Sequence, residues 1–197
     1  MAWLITKKLE MTRVVKNDRF IPVTLLQVPE MRVVGFKTAE KDGYDAMIVW
    51  VLADKAEGKI KKDRKTLSKN DFSDMVEFEV SGEYKVGDTI GCGNLEGVTE
   101  VRVEGFSKGK GFTGAMKKHN FHGGPATHGS KFHRALGSIG NRKPTRTAKG
   151  KKMHGHHGDI KVSLKNVPLE IVNADLGVIG VRGGVPGGRN STVNIIF

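Results

Sequence analysis

Positions 106–158 read FSKGKGFTGAMKKHNFHGGPATHGSKFHRALGSIGNRKPTRTAKGKKMHGHHG, and no other feature limits the fold of this chain as much. The segment holds twelve Lys or Arg, eleven Gly and all seven His of the chain, with no Asp or Glu. Its apolar residues are scattered, chiefly Phe106, Phe112, Met116, Phe121, Phe132, Leu136, Ile139 and Met153. A run so poor in apolar side chains and so rich in glycine cannot easily offset the entropy of ordering itself. It is therefore predicted to be largely irregular until something anionic organises it. A short helix is predicted between Phe112 and Phe121, with Met116 on one face and Lys117 and Lys118 on another.

Charge isolates the segment further. The chain carries 33 basic and 21 acidic residues, a formal net charge of +12. All of that excess lies in the segment, so the remainder has 21 of each sign. A concentrated field of one sign attracts polyanions, and nucleic acid and anionic membranes are the two candidates. No stretch approaches the ~20 apolar residues of a membrane helix, and the segment lacks the apolar face of a membrane-surface helix. The start, MAWLITKKLEMTRVV, alternates early and lacks the apolar block of a secretory signal. It also lacks the acid-poor leader of an organellar transit peptide, which a processed chain would have lost. The single cysteine, Cys92, cannot form an intrachain disulfide and suits a reducing compartment and a buried position.

On either side of the segment the pattern is one of short β-like runs. AWLITKK, TRVV, FIPVTLLQV, RVVGF and DGYDAMIVWVL come first, then VEFEV, DTIGC and VTEVRVEG. DIKVSLKNVPLEIVNAD, LGVIGVRG and TVNIIF follow. Residues 55–75 are polar and charged and read as a surface loop with a helical turn near Leu67–Asp71. Many short strands at close intervals argue for a mainly β fold, a closed or nearly closed barrel. Neither flank alone supplies enough strands. The economical division is one β domain, residues 1–105 plus 159–197, interrupted by a basic extension, residues 106–158. Two small domains joined by a linker are the alternative.

Three chemical readings of the segment compete. GFSKGKGFTG suggests a phosphate-cradling loop, but Lys110 falls where the second Gly of a P-loop belongs and Gly111 where its Lys belongs. The histidines, spaced His119-x2-His122, His128-x4-His133 and His154-x-His156-His157, invite a metal site and a metal-dependent nuclease. That reading lacks a carboxylate or cysteine in the segment, and it would crowd a dication among twelve fixed positive charges. No serine, cysteine or carboxylate constellation supports catalysis, so the chain is read as not an enzyme and as using no cofactor. Magnesium associated with bound RNA would need no dedicated protein site.

Basic runs interleaved with aromatics and imidazoles favour RNA. The residues predicted to meet phosphates are Lys108, Lys110, Lys117, Lys118, Lys131, Arg134, Arg142, Lys143, Arg146, Lys149, Lys151 and Lys152. Ser107, Gly109, Gly111, Asn141, His119, His128, His133 and His154 complete the candidate interface, with the glycines allowing close approach. Histidines among phosphates are expected to be pushed toward the charged form. A free DNA-compacting or regulatory nucleic-acid binder is the alternative to a structural RNA-binding protein.

SKGKGFTGAMKKHNF, HGSKFHRALGSIG and GKKMHGHHG closely resemble successive signatures of the large-subunit ribosomal protein three family, bacterial or organellar branch. So do KKLEMTR at 7–13, IPVTLLQV at 21–28 and VRGGVPGGRNSTV at 181–193. The resemblance implies a translation-factor-type β-barrel with a long, largely irregular arm running through rRNA toward the peptidyl transferase centre. It implies early assembly, contact with ribosomal proteins fourteen and nineteen, no membrane or small-molecule partner, and residence in a cytoplasmic ribosome, or an organellar one if the chain is a processed form. Ser107, Lys108, Gly109, Lys110, Gly111 and Gly114 match the signature at the root of the arm. His128, Gly129, Ser130, His133 and Arg134 match its middle, and Lys149 to Met153 its return. The sequence departs in places: Arg102 stands where the family usually has Asp or Asn, Lys118 replaces a common Arg, Ala2 and Glu10 lie where the start usually has glycines, and the tip NRKPTRTA is one residue short and lacks the glutamine that many bacterial members methylate.

Overall fold

The chemistry of one turn sets the register of the first hairpin. Asn17 and Asp18 adopt φ of 52° and 58°, the left-handed pair that a two-residue link between antiparallel strands demands. Their short polar side chains make that conformation tolerable. Strand β1 (Trp3–Lys16) and strand β2 (Arg19–Gln27) then pair from Lys16↔Arg19 to Lys7↔Gln27, with a bulge between Lys8 and Met11. AWLITKK and TRVV, two runs in the sequence, are thus one strand.

The computed structural model describes residues 3–52, 72–79 and 84–197. They fall into two compact units, Met1–Phe106 with Lys161–Phe197, and Ser107–Ile160. In the first unit β1 and β2 are followed by β3 (Met31–Lys37), a single helical turn α1 (Ala39–Asp42), β4 (Ala46–Leu52) and β5 (Phe72–Phe78). Next come β6 (Thr89–Ile90), a 3-10 turn (Cys92–Leu95) and β7 (Glu100–Phe106). The second unit holds β8 (Phe112–Thr113), helix α2 (Ala115–His119) and β9 (Gly155–His156). The chain re-enters the first unit through β10 (Lys161–Asn173), β11 (Val178–Arg182) and β12 (Thr192–Ile196). The fold is mainly β.

Six antiparallel strands close into a barrel in the order β1-β12-β7-β10-β11-β2. Closure depends on both ends of the unit, since Trp3↔Ile196 to Lys7↔Thr192 join its first and last strands. A second antiparallel sheet, β5-β4-β3-β6, accompanies it. Alternate residues point inward, so Leu4, Leu26, Val103, Ile179, Val181, Val193 and Ile195 are fully buried. Met31, Val33, Val49 and Val51 of the second sheet and Leu95 of the 3-10 turn join the same apolar cluster. Each such side chain stabilises the fold by roughly 1.5–3 kcal/mol. Cys92 is buried in this cluster, and burial pushes its thiol up from the ordinary range.

Several sequence expectations meet the structure at their edges. Residues 72–75, read as loop, open β5, because their backbone pairs with Trp50, Val51 and Leu52 of β4. The helical turn expected near 67–71 lies outside the described residues. DTIGC is strand only at Thr89–Ile90 before the 3-10 turn begins. Phe106 pairs with Lys161 at the end of the β7–β10 ladder, so the second unit starts one residue later and ends two residues later than the charge pattern marks.

Two acids on the barrel are buried beneath cations. Glu104 meets Lys161 at 2.7 Å and Arg102, and accepts a hydrogen bond from Ser163 at 3.1 Å. Arg102 also donates to Ser163, at 2.9 Å. The position where the family pattern differs therefore supplies a counter-ion. Glu170 is held by Lys16 at 2.9 Å and by Arg182 Nε at 2.8 Å. Lys161 first, then Ser163 and Arg102, hold the Glu104 carboxyl below its usual range against the opposing effect of burial. Lys16 and then Arg182 do the same for Glu170.

Two predictions follow from this packing. A Cβ on Gly180 would stand 2.8 Å from Val23 Cγ1 and 3.0 Å from Ile171 Cβ, its cross-strand partner. Gly180→Ala should lower stability in urea titrations by about 1–3 kcal/mol, whereas Gly35→Ala, with nothing within 4 Å, should change little. A depressed carboxyl stabilises the fold above the ordinary carboxylate range, and that contribution is lost as pH falls through the folded pKa. Glu170→Gln should therefore cost about 1 kcal/mol at neutral pH, with the difference from the parent shrinking toward zero in strong acid.

Candidate nucleic-acid interface

The second unit has to fold while carrying charge of nearly one sign. Backbone hydrogen bonds do much of the work near its root. Ser107 N–H donates to Ile160 O at 3.0 Å, Lys110 N–H to His157 O at 2.8 Å, and His157 N–H to Gly111 O at 2.9 Å. This ladder leads to the β8–β9 pair, Phe112↔His156 and Thr113↔Gly155. Helix α2 follows from Gly114 and stops at Asn120, whose left-handed φ of 59° lets its N–H cap Met116 O. The short helix expected between Phe112 and Phe121 is thus present, and the segment around it is ordered by its own contacts.

Glycine explains much of that order. A Cβ on Gly158, at φ +81°, would come within 2.0 Å of Lys108 O. One on Gly123 would meet His133 O at 2.3 Å, and one on Gly124 would meet Phe132 O at 2.6 Å. Gly124 N–H donates to that same His133 O, at 3.2 Å. At these three positions glycine lets the chain pass against its own backbone. These three are not Gly109 and Gly111, the glycines expected at the phosphate interface. His128 and Gly129, at φ 59° and 73°, form a two-residue turn closed by Ser130 N–H on Thr127 O.

The predicted residues divide into two groups. Lys108, Lys110, Lys117, Lys131, Arg134, Arg142, Lys143, Arg146, Lys149, Lys151 and Lys152 are exposed, and only Lys118 is half-buried, near Gly155. None of these twelve makes an ion pair with an acid among the described residues. Asn141 and His154 are exposed too, the latter tilted against Phe112 with ring centroids 5.5 Å apart. Ser107, His119 and His133 have partners within the unit. Ser107 Oγ accepts from Ile160 N–H at 3.3 Å, His119 Nε2 lies 3.0 Å from Met153 O, and His133 Nδ1 lies 2.8 Å from Pro125 O. A Cβ on Gly109 would lie 3.7 Å from Asp159 Cβ, and Gly111 takes φ +66° just before β8. Among the described residues no three of His, Cys, Asp and Glu converge to hold a metal ion, and no helix is long and apolar enough to cross a membrane.

One histidine departs from its ordinary pKa in the free chain. Burial first, then the charges of Lys110, Lys118, Lys117 and His119, push His157 below the ordinary histidine pKa. Its Nδ1 is buried with no hydrogen-bond partner. In the free chain burial, and after it the surrounding cations, favour the neutral imidazole.

The unit that carries these exposed cations lies inside the stretch that a family model matches. The model described as Ribosomal protein L3 matches residues 94–177, which run from the 3-10 turn through β7 and the second unit into β10. The Large ribosomal subunit protein uL3 of Borrelia hermsii is 40% identical over 200 residues, covering 98% of this chain and 95% of that relative. The chain belongs to the ribosomal protein L3 family. The uL3 of Fervidobacterium nodosum is 38% identical across 99% of this chain and 97% of its own length, and that of Thermosipho africanus 39% across the same shares. A member of this L3 family is a ribosomal protein and not an enzyme.

For this L3-family chain the His157 environment sets a pH dependence. An unfolded chain, with its histidine near the ordinary pKa, takes up the proton first, so stability is intact above that value and declines as pH falls through it. Titration followed by NMR should place His157 below the ordinary histidine value in the free protein. His157→Gln should flatten the loss of stability between neutral and mildly acidic pH.

Proposed function

We propose that this chain is a structural constituent of the large ribosomal subunit that binds large-subunit rRNA. Residues 1–105 and 159–197 dock on the RNA surface, and residues 106–158 form an arm that threads between RNA helices toward the peptidyl transferase centre. The observation that carries the reading is the set of twelve cations, eleven of them exposed, in a segment without one carboxylate. The printed description of the relatives, large ribosomal subunit protein, agrees with it. The family resemblance supports binding early in assembly beside ribosomal proteins fourteen and nineteen. The bacterial sources of the relatives support a cytoplasmic ribosome.

The mechanism is electrostatic positioning. Each phosphate neutralised releases condensed counterions, and the free energy of that release grows as salt falls. Phosphate contacts fix orientation and register, while recognition rests on RNA shape and on bases that can be reached. Near the root, the exposed lysines are point charges along a backbone already held by its own hydrogen bonds. Docking the arm therefore requires less ordering than folding a disordered tail would.

Two measurements test the reading. Phe106 and Lys161 are cross-strand partners, so a short Gly-Ser bridge can replace residues 107–160 without distorting the barrel. The bridged protein should stay β-rich and unfold cooperatively, yet fail to enter large subunits stably; full incorporation would overturn the role given to the arm. Replacing Lys151 and Lys152 by Ala should flatten the log-log salt dependence of rRNA binding by roughly 1.5 to 2, at nearly constant preference for rRNA over duplex DNA.

A further inference from the structure

Besides its charges, the second unit contains a concave apolar feature that phosphate binding leaves unused. A cleft of about 380 Å³ is lined by residues 120–124, Phe132 and residues 135–137. Phe121 is half-buried, with its ring 6.1 Å from that of His119. Phe132 is 65% exposed, and His122 and Asn120 are exposed at the same cleft. The close passage of Gly123 and Gly124 against the carbonyls of His133 and Phe132 fixes the two stretches of lining against each other. The cleft is thus built by backbone contacts and does not depend on side chains collapsing into it.

We propose that this cleft receives one unstacked nucleobase of the bound RNA. The inference rests on the RNA-binding reading above and adds to it a site that reads a base rather than a phosphate. Aromatic faces at the cleft, Phe121, Phe132 and His122, are the surfaces on which single-stranded bases stack. Asn120 offers both a donor and an acceptor amide to a base edge. Lys131 and Arg134, which flank Phe132 and His133 in sequence, are exposed and without an acidic partner among the described residues. A nucleotide has one flat aromatic group and a phosphate on either side of it. It meets both the apolar lining and the cations, whereas an apolar protein side chain would leave the cations unmatched.

The test uses the full chain and two short single-stranded probes of equal length and charge, an adenylate oligomer and the same oligomer with abasic positions. Fluorescence anisotropy should show wild-type protein preferring the adenylate oligomer by roughly tenfold or more. Phe132→Ala should abolish that preference while leaving affinity for the abasic oligomer and its salt slope unchanged. Phe132→Tyr should retain it, which separates loss of stacking from misfolding. Phe112→Ala, outside the cleft, should also retain it. Equal wild-type affinity for both oligomers, as a protein-docking groove would give, or a preference that survives Phe132→Ala, overturns the base site and leaves phosphate binding standing. Failure of either oligomer to bind even at low salt overturns the RNA-binding reading and the base site together.

Discussion

Electrostatic repulsion is the constraint on which the arrangement of this chain depends. Between residues 106 and 158 twelve cations stand without a single acid, so this stretch cannot supply its own ion pairs. It is held instead by interactions indifferent to charge: the Lys110–His157–Gly111 backbone ladder, the β8–β9 pair, and the passages of Gly123, Gly124 and Gly158 against main-chain carbonyls. The other unit has balanced charge and solves the opposite problem. There Glu104 and Glu170, each nearly inaccessible to solvent, are satisfied by two cations apiece. A buried acid that lost its cations would be a net cost, so these pairs fix strand register on the outside of the barrel as the valines and leucines do on its inside.

Which of these features the sequence discloses depends on whether they are local. Charge and its exposure are composition, and they are plain from the run of lysines and glycines alone. Helix α2 is legible because Met116 and the paired lysines obey helical spacing within a few residues. The Asn17–Asp18 turn is legible because its chemistry is contained in the dipeptide. The role of Gly123 is not, since the carbonyl it faces belongs to His133 across a loop whose path no local pattern announces. The same holds for Ser107, whose hydroxyl looks like a phosphate ligand in SKGKG but accepts from Ile160 N–H at 3.3 Å, 53 positions along the chain. Barrel closure through Trp3↔Ile196 is equally non-local. Alternation suggests strands, and only the tertiary fold says which strands are neighbours.

The histidines show most clearly how environment overrides residue type. All seven lie in the basic segment, and from sequence each is a candidate for protonation beside phosphate. Three have structural positions: His119 against Met153 O, His133 against Pro125 O, and His154 against the Phe112 ring. His157 is different again, because burial first, and then the lysines that would recruit a phosphate, disfavour its proton in the free chain.

That opposition gives the segment a means of adjusting its own charge. A fixed cation contributes the same repulsion whether or not its partner has arrived. An imidazole in the same field gives up its proton while the field is positive and so lowers the repulsion the free chain must bear. Once polyanion charge reverses the sign of the local potential, the argument for losing the proton disappears and the argument for taking it up begins. Under the function proposed here, phosphate beside His157 would favour the proton that burial and the neighbouring lysines disfavour in the free chain. A lysine at that position would hold its charge in both states, and it would place one more like charge among Lys110, Lys117 and Lys118 at the stage when nothing offsets them.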